Sequence, residues 1–378
     1  MIVLEDGPEG RAALFDGASA VLAARTGDEV RPLLQALDEA RARGQWVAGW
    51  LGYEAGHALE PKLAAIAHKS EGPLAVFGIY DGPQDAAPVL AQAAAAAREA
   101  ALEAPRPVVT RAEYDAAMAR VMGYIGAGDC YQINLTFPME SRLTHGTALG
   151  LYGALRARQA VGHGAFLDLG QGPVIVSRSP ELFLRVSAGG RIEARPMKGT
   201  APRDADPVRD AELAEELRAS EKGQAENLMI VDLLRNDISR VAKVGSVRVP
   251  ALFAVERYAT VHQMTSTVEG ELAEPPTLPG LIAALFPCGS ITGAPKIRAM
   301  EIIREVERHA RGVYCGAVGW MSPEGQADFS VAIRTLSVTG RDIVMNVGGG
   351  LTHGSTVEGE WEEALWKARF VKAAVSRG

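Results

Sequence analysis

The sequence is poor in cysteine and lacks any continuous apolar stretch long enough to cross a membrane. Its three cysteines, Cys130, Cys288 and Cys315, lie far apart and include no CxxC pair. They indicate reduced thiols rather than a disulfide framework or a zinc site. A membrane-spanning helix needs about 18 or more consecutive apolar residues, and no such run is present. We therefore expect no membrane segment.

Basic residues are not in excess, and the first residues do not look like a targeting signal. The chain has 39 Lys and Arg against 46 Asp and Glu, a formal net charge of −7, which argues against a nucleic-acid partner. The start, MIVLEDGPEG, has neither a basic segment nor an apolar one, so we expect no signal peptide. Together with reduced cysteines, this predicts a cytoplasmic protein.

What is present is the composition of a globular protein with a large core. Apolar residues make up 47% and charged residues 22% of 378 residues, enough for several average domains or one large one. We predict a single catalytic unit of residues 1–378. Within it, 1–80 form the N-terminal part of the fold, 81–107 an Ala- and Pro-rich connector containing a helix, and 110–375 the core.

The apolar spacing predicts short strands interleaved with helices. The strands follow one another through tight turns, too closely for regular βαβ units, which favours an α+β fold with large antiparallel sheets. A capping box at Thr110 and Glu113 marks one helix start. Predicted helices cover 30–43, 110–127, 211–235, 278–285, 295–308 and 359–375, and predicted strands 46–53, 130–137, 165–169, 174–177, 182–186, 191–194, 247–249, 257–268, 312–321, 328–338 and 342–347.

Lys198 stands between Pro196, which restricts φ, and Gly199, which permits positive φ. A lone lysine in such a segment is most often a solvated turn residue. Glu181 lies at the start of a predicted strand, and two strands separate it from Lys198. A turn between these strands could bring Glu181 and Lys198 into one cleft. A surface glutamate is the alternative for Glu181.

Two predicted helices carry carboxylates where a metal could bind. Glu226 lies in a largely apolar helix, and a glutamate on a buried side must be paired, protonated or metal-bound. Glu360, Glu363 and Lys367 share one face of the last helix, which could equally be a solvated charged face. Two such helices converging would suit Mg²⁺, which takes oxygen ligands.

Three further segments favour the binding of a small anion. Residues 288–296 form a loop with Ser290 and Thr292 that leads into a helix start, where backbone N–H groups attract anions. Gly348–Gly350, at the end of a predicted strand, permit close approach of a ligand to the backbone. Arg334, inside a strand-like run, could bind a carboxylate with two hydrogen bonds.

Several longer segments, in the same order along residues 110–375, resemble the chorismate-utilising enzymes. This family includes anthranilate, aminodeoxychorismate, isochorismate and salicylate synthases, and the first 80 residues, with WLGYEAG, resemble a short form found among its members. The resemblance implies two large antiparallel sheets packed as a sandwich with helices outside. The matching segments are PMKGTAPR (196–203), ENLMIVDLLRNDISRV (226–241), VHQMTSTVEGEL (261–272), FPCGSITGAPKIRAMEII (286–303), RGVYCGAVGW (311–320), GGG (348–350) and EWEEALWKA.

Within the family, the position of Lys198 separates sister activities. Anthranilate synthases usually have alanine there and aminodeoxychorismate synthases lysine. Isochorismate and salicylate synthases use another lysine, where this chain has Gln132, and the tryptophan-sensing LLES-type segment is not apparent. The resemblance therefore implies formation of 4-amino-4-deoxychorismate. Anthranilate synthesis is the first alternative, and a non-catalytic small-anion binding protein a remote one.

The resemblance also assigns roles to residues. Lys198 would attack carbon 2 of chorismate while Glu181 protonates the departing 4-hydroxyl, and His262 would lie near the ring. Mg²⁺ would bind Glu226 and Glu363, with Glu360 as an accessory ligand. The substrate-binding residues would be Ser290, Thr292, Tyr314, Arg334, Gly348, Gly349, Gly350 and Lys367.

The family resemblance finally implies partners. Ammonia would be the second substrate, taken up directly or released from glutamine by a separate amidotransferase subunit, because no amidotransferase nucleophile motif is visible in the chain. A separate lyase would then convert the product to para-aminobenzoate, a precursor of folate.

Overall fold

The computed structural model describes residues 1–67, 72–258 and 261–374, which form two antiparallel sheets with helices. The strands are β1 (Ile2–Leu4), β2 (Ala13–Phe15), β3 (Ala20–Ala24), β4 (Trp46–Leu51), β5 (Ala75–Tyr80), β6 (Gln84–Asp85), β7 (Ala101–Leu102), β8 (Arg106–Pro107), β9 (Gln132–His145), β10 (His163–Leu167), β11 (Val174–Ser179), β12 (Leu182–Val186), β13 (Arg191–Arg195), β14 (Met197–Pro202), β15 (Arg248–Arg257), β16 (Val261–Glu271), β17 (Gly293–Ala294), β18 (Ala317–Met321), β19 (Ala327–Val331), β20 (Thr335–Thr339) and β21 (Asp342–Leu351). The helices are α1 (Gly27–Ala42), α2 (Ala55–Leu59), α3 (Pro61–Ala64), α4 (Ala87–Ala96), α5 (Arg111–Gly126), α6 (Ala148–Arg156), α7 (Pro207–Ala219), α8 (Glu221–Ser239), α9 (Leu278–Leu285), α10 (Lys296–Val306) and α11 (Val357–Lys367). Within this described part of the chain, every helix is too short or too polar to cross a membrane.

The first sheet has eleven strands and the second has ten. The first runs β17-β9-β21-β20-β11-β10-β1-β2-β6, with β7 and β8 also paired to β9. The second runs β14-β16-β13-β12-β19-β18-β4-β5-β3, with β15 also paired to β16. Residues 1–80 supply strands to both sheets. The predicted α+β fold with large antiparallel sheets is confirmed.

The sheets pack against each other because successive side chains of a strand point to opposite faces. In β1, Ile2 and Leu4 join Trp50 of the second sheet in one buried apolar cluster. Val3 and Leu51 instead join a larger cluster that includes the buried side of α1. Full burial of such a side chain stabilises the fold by about 1.5–3 kcal/mol. Apolar residues on both faces therefore produce helix, sheet, sheet and helix layers.

The direct contact between the sheets lies at one end of each. Its residues come from β1, β2, β10 and β11 of the first sheet and from β4, β5 and β18 of the second. At the opposite ends lie β9 and β21 of the first sheet and β14 and β16 of the second. The space between those ends holds the main cavity described below.

Residues 211–235, predicted as one helix, are two helices in the structure, so that prediction is wrong. Ser220 separates α7 from α8 with a non-helical ψ of 106°, and its hydroxyl accepts a hydrogen bond of 3.1 Å from the backbone N–H of Gly223. A serine that caps a new helix start competes with helix continuation, and periodicity alone does not reveal this.

Residues 328–338 are likewise not one strand. β19 belongs to the second sheet and β20 to the first, so the chain passes between the sheets at residues 332–334. Arg334 has φ of 49°, a left-handed conformation that is strained for arginine. The arginine predicted inside a strand therefore lies at a crossing between the sheets.

The glycines Gly348–Gly350 lie inside β21 and not at its end. They pair with Thr136, Leu135 and Asn134 of β9, and the strand continues to Leu351. Predicted strand 257–268 is also divided, because β15 ends at Arg257 and β16 begins at Val261. Strands 182–186 and helix 278–285 match their predicted bounds.

The Ala- and Pro-rich segment 81–107 is tied to the first sheet. It contains α4, as predicted, and the short strands β6, β7 and β8, which pair with β2 and β9. α4 packs closely on α6. The approach is so close that a Cβ added to Gly153 of α6 would collide with the backbone oxygen of Ala93 in α4.

This close approach predicts opposite effects for two helical glycines. Gly153→Ala should lower the free energy of unfolding by about 1–3 kcal/mol, because the methyl group has no room. The methyl group added by Gly123→Ala in α5 meets nothing within 4 Å, so this change should raise the free energy of unfolding by about 0.4–1 kcal/mol. Denaturant unfolding of both variants measures the difference. A stable Gly153→Ala variant would contradict the packing of α4 on α6.

Candidate active site

A cavity of about 380 Å³ lies between β9–β21 and β14–β16 and is bordered by α7, α8 and α11. Most of the predicted site residues, which come from distant segments of the sequence, line this cavity. The predicted residues that line it are Glu181, Lys198, Glu226, Ser290, Tyr314, Arg334, Gly348, Gly350, Glu360, Glu363 and Lys367.

Lys198 reaches the cavity through an irregularity in β14. The pairing of β14 with β16 changes register between Met197 and Thr200, and Gly199 has φ of 79°. A bulge with a glycine in the left-handed region redirects the neighbouring side chain. The positive φ expected for Gly199 is confirmed, and it belongs to a strand bulge rather than to an exposed turn.

Glu181 lies in the turn between β11 and β12 and is only 4% exposed. Burial raises the pKa of Glu181 to about 7, although a hydrogen bond from Ser290 and the charge of Lys198 act in the opposite direction. One of its carboxyl oxygens, Oε1, has no hydrogen-bond partner among the described residues. A buried carboxyl group with a free oxygen is suited to hold a proton near neutral pH and to donate it to a ligand.

Lys198 is shifted in the complementary direction. Burial lowers the pKa of Lys198, the nearby charge of Lys367 lowers it further, and Glu181 opposes both. A lysine with a lowered pKa holds a larger share of neutral amine, which is the nucleophilic form. One cavity thus contains a carboxyl group that tends to keep its proton and an amine that tends to lose one.

Three carboxylates from α8 and α11 face the same cavity. Glu226 Oε1 lies 3.8 Å from the ammonium of Lys222, and Glu363 Oε1 lies 2.8 Å from that of Lys367. Burial raises the pKa of Glu360, which accepts a 2.6 Å hydrogen bond from the Ser355 hydroxyl. This set of carboxylate oxygens fits the ligand preference of Mg²⁺.

The three carboxylates do not form a closed cluster. In residues 1–67, 72–258 and 261–374, the group of metal-ligating atoms that lie within 4.8 Å of one another is Asp6, His163 and Asp328, away from this cavity. There Arg185 already contacts both aspartates, at 2.8 and 2.6 Å. An ion in the main cavity would therefore need further oxygens from water or ligand.

The glycines of β21 make room for functional side chains. A Cβ on Gly350 would lie 2.8 Å from Gln132 Nε2 and 3.2 Å from Lys198 Nζ, and one on Gly349 would lie 2.9 Å from Glu360 Oε2. Gln132 is fully buried, and neither its amide nitrogen nor its oxygen has a partner within the described part of the chain.

The loop 288–296 is only partly directed at the cavity. Ser290 lines it, whereas the Thr292 hydroxyl donates to the backbone oxygens of Cys288 and Gly289, at 3.1 and 3.2 Å. The ammonium of Lys296 bonds Asp237 at 2.5 Å and the backbone oxygen of Leu285. Pro295 caps α10 instead of being its first residue. Lys296, at the end of the predicted anion-binding loop, is therefore paired with Asp237, and Thr292 stabilises the loop.

His262 lies apart from the cavity. It is fully buried in β16, and its Nε2 is 2.8 Å from Asp210 Oδ1, which Arg203 also contacts. The neighbouring Gln263 lines the cavity instead, where it donates a 2.6 Å hydrogen bond to the backbone oxygen of Gly199. The structure thus does not bring His262 together with Lys198 and Glu181.

The sequence also did not single out Gln263, Asn134 or Arg311 as site residues. Asn134 lines the cavity from β9, and the strand alternation that turns it inward could have indicated this. Arg311 is 3% exposed, and its guanidinium donates to the backbone oxygens of Asn134 and Ile291, at 2.5 and 2.9 Å. Arg311 is distant in sequence from Asn134, so no local sequence pattern predicts their contact.

This arrangement of sheets is the fold of anthranilate synthase component I. The crystal structure of that protein from Streptococcus pneumoniae superposes with a TM-score of 0.80 at 26% identity, covering 95% of this chain and 91% of the other. Residues 1–373 match the family described as chorismate binding enzyme. The chain belongs to that family.

Relatives of two named activities are similarly close. Aminodeoxychorismate synthase component 1 of Salmonella typhimurium is 43% identical over 263 residues, which are 70% of this chain and 57% of the relative. Anthranilate synthase component 1 of Thermus thermophilus is 45% identical over 267 residues, with the same coverage of 70% and 57%. This chain thus spans little more than half the length of these relatives. Identity alone does not separate the two activities.

The pKa of Glu181 gives a direct test of this electrostatic description. It should titrate near pH 7 in the wild type, and Lys198→Met should raise its pKa further, because the lysine charge stabilises the carboxylate. Carbon-13 NMR of glutamate-labelled protein measures both, with Glu181→Gln to assign the signal. Lys222→Met, at an exposed lysine, should leave the titration unchanged. A wild-type titration near the ordinary value of 4.5 would contradict the burial of this carboxyl group.

Proposed function

We propose that this protein converts chorismate and ammonia to 4-amino-4-deoxychorismate, with residues 1–378 acting as one catalytic unit. The observation that carries the proposal is the placement of Lys198 and Glu181 in one cavity, with pKa values displaced toward each other. Relatives named aminodeoxychorismate synthase support the choice.

In the proposed reaction, the neutral amine of Lys198 attacks carbon 2 of the chorismate ring. The ring electrons shift, the bond from carbon 4 to its hydroxyl breaks, and Glu181 donates the proton that lets the hydroxyl leave as water. Ammonia then forms a bond to carbon 4, the electrons shift back, and Lys198 leaves from carbon 2. The ionised Glu181 is available to regain a proton as the amine product forms.

The remaining cavity residues would bind the two carboxylates of chorismate. Arg334 and Tyr314, with the backbone of Gly348–Gly350, are proposed to hold the enolpyruvyl carboxylate, and Ser290 and Lys367 to complete the site. The guanidinium of Arg334 is a suitable partner because it can donate two parallel hydrogen bonds to a carboxylate. His262 remains a predicted active-site residue, and its contact with Asp210 favours a role in positioning β16 against α7.

Mg²⁺ is proposed to bind Glu226 and Glu363, with Glu360 in support. When bound, it would neutralise the ring carboxylate of the substrate. Lys222 and Lys367 lie beside two of these glutamates and would balance their charge in the absence of the ion.

Ammonia would come from solution or from glutamine through a separate amidotransferase subunit, and a separate lyase would act on the product, in the cytoplasm. The name component 1 of several relatives supports such a partner. The product would serve para-aminobenzoate and folate biosynthesis.

Anthranilate synthesis is the second candidate, because relatives named anthranilate synthase match as well as the others. Incubation with chorismate, Mg²⁺ and ammonium, followed by chromatography, separates the two. Accumulation of aminodeoxychorismate supports the proposal, and fluorescent anthranilate as the main product would overturn it. Binding of chorismate without turnover would favour a binding protein.

Replacing the proposed nucleophile gives a sharper test. Lys198→Ala should reduce aminodeoxychorismate formation by about 10⁴-fold or more, as loss of a catalytic nucleophile does in other enzymes. The dissociation constant for chorismate should change far less. Lys222→Ala serves as the control, since this lysine also lines the cavity but has no covalent role in the proposal. Turnover that survives in Lys198→Ala would remove the covalent step.

The metal ligands predict a second set of variants. Glu226→Gln and Glu363→Gln should each weaken Mg²⁺ binding by about 10–100-fold or more, since even residues that only support metal ligands have effects of this size. Titration calorimetry with Mg²⁺ and the Mg²⁺ dependence of turnover measure this. Glu362→Gln, at the exposed neighbouring position outside the cavity lining, is the matched control. Equal Mg²⁺ affinity in all three variants would refute the assignment.

A further inference from the structure

A second cavity, of about 280 Å³, lies beside the first at the edge of the first sheet. It is enclosed by α5, by residues 306–309 and by the stretch of β9 from Leu135 to Pro138. Asn346 of β21 lines both cavities. The two spaces therefore adjoin at this residue.

The second cavity occupies a gap in the strand pairing along β9. On this edge β17 pairs with Gln132 and Ile133, and β8 pairs with Met139 and Glu140. No strand covers the stretch between these pairs within the described residues. A continuous neighbouring strand would have closed the edge of the sheet, so the gap is what leaves room for the cavity.

Side chains replace the missing strand in this gap. The carboxylate of Glu307 accepts the backbone N–H of Thr136 at 2.8 Å, and the guanidinium of Arg311 donates to the backbone oxygen of Asn134 at 2.5 Å. Arg311 and Glu307 also form a buried ion pair at 2.7 Å. An edge held by side chains satisfies its backbone groups without filling the space that a strand would occupy.

Hydrogen bonds connect residues that line the two cavities. Glu307 lines the second cavity, and its partner Arg311 bonds the backbone of Asn134 and Ile291, which line the first. Asn346 also borders both spaces. Asn346 is thus a residue that a molecule in either cavity can contact.

The chemistry of the second cavity suits a small neutral molecule. Both oxygens of Glu307 are already bonded to Arg311, and at the mouth Arg308 is paired with Glu113 at 2.8 Å. Leu135 and Phe137 add apolar surface. Among the described residues that line it, no unpaired cationic cluster is offered to a dianion such as chorismate, whereas ammonia is small, uncharged and able to hydrogen-bond with Asn346.

We propose that the second cavity is the access route of ammonia to the catalytic cavity, with Asn346 at the passage. The inference rests on the proposed function, because it assigns a path to the second substrate of that reaction. It separates the two substrates in space. Chorismate would occupy the cavity around Lys198, and ammonia would reach the ring from the edge of β9.

Two matched variants on α5 test the route. Ala116 and Ala119 are both exposed, but only Ala116 lines the second cavity. Ala116→Trp should obstruct the mouth and lower kcat/KM for ammonium by about tenfold or more. The dissociation constant for chorismate should stay unchanged. Ala119→Trp places the same side chain outside the cavity and should leave both quantities unchanged.

A substitution farther inside the second cavity gives an independent test of the route. Ala117→Leu reduces the cavity from the half-buried side of α5 and should also impair the use of ammonium while chorismate binding persists. Equal ammonium kinetics in the wild type and in Ala116→Trp and Ala117→Leu would overturn the route. If the wild type makes no aminodeoxychorismate from chorismate and ammonium, the proposed function itself fails, which is a different result.

Discussion

Removal of water from Glu181 and Lys198 is the constraint on which the proposed chemistry depends. Burial disfavours the charged form of each group, so it raises the pKa of the carboxyl to about 7 and lowers that of the amine. Their mutual attraction opposes this, since each charge stabilises the other. Desolvation is the larger effect for both residues. Burial therefore favours the protonated acid and the neutral amine, whereas in water at pH 7 the carboxyl group is ionised and the amine is charged.

The fold creates this cavity by packing the two sheets against each other at one end of each. The contact around Trp50 holds the sheets together, while the ends that carry β14, β16, β9 and β21 enclose the cavity. Local irregularities then aim the side chains: a bulge at Gly199 for Lys198, and the left-handed backbone of Arg334 at the crossing between sheets. Such strained or irregular positions are retained where the surrounding structure enforces them.

Much of this could be predicted from the sequence, because strong periodicity and family motifs carry it. The α+β class and the capping box at Thr110 were predicted correctly, and eleven of the predicted site residues line one cavity. What the sequence did not indicate has two causes: a local cap that competes with helix continuation, and partners that are remote in sequence. Ser220 caps a new helix start and so divides a helix that looks continuous. The contact of His262 with Asp210, 52 residues before it in the chain, is an example of a remote partner. The buried Arg311 network joins segments that no local pattern connects.

Detection of a covalent intermediate tests the central claim most directly. The protein is mixed with chorismate and Mg²⁺ without ammonia, quenched in acid, digested and examined by mass spectrometry. The account predicts a peptide containing Lys198 that is heavier by chorismate less one water, and the loss of this species when ammonium is added before quenching. Aminodeoxychorismate formation at full rate, with Lys198 never modified under these conditions, would contradict it.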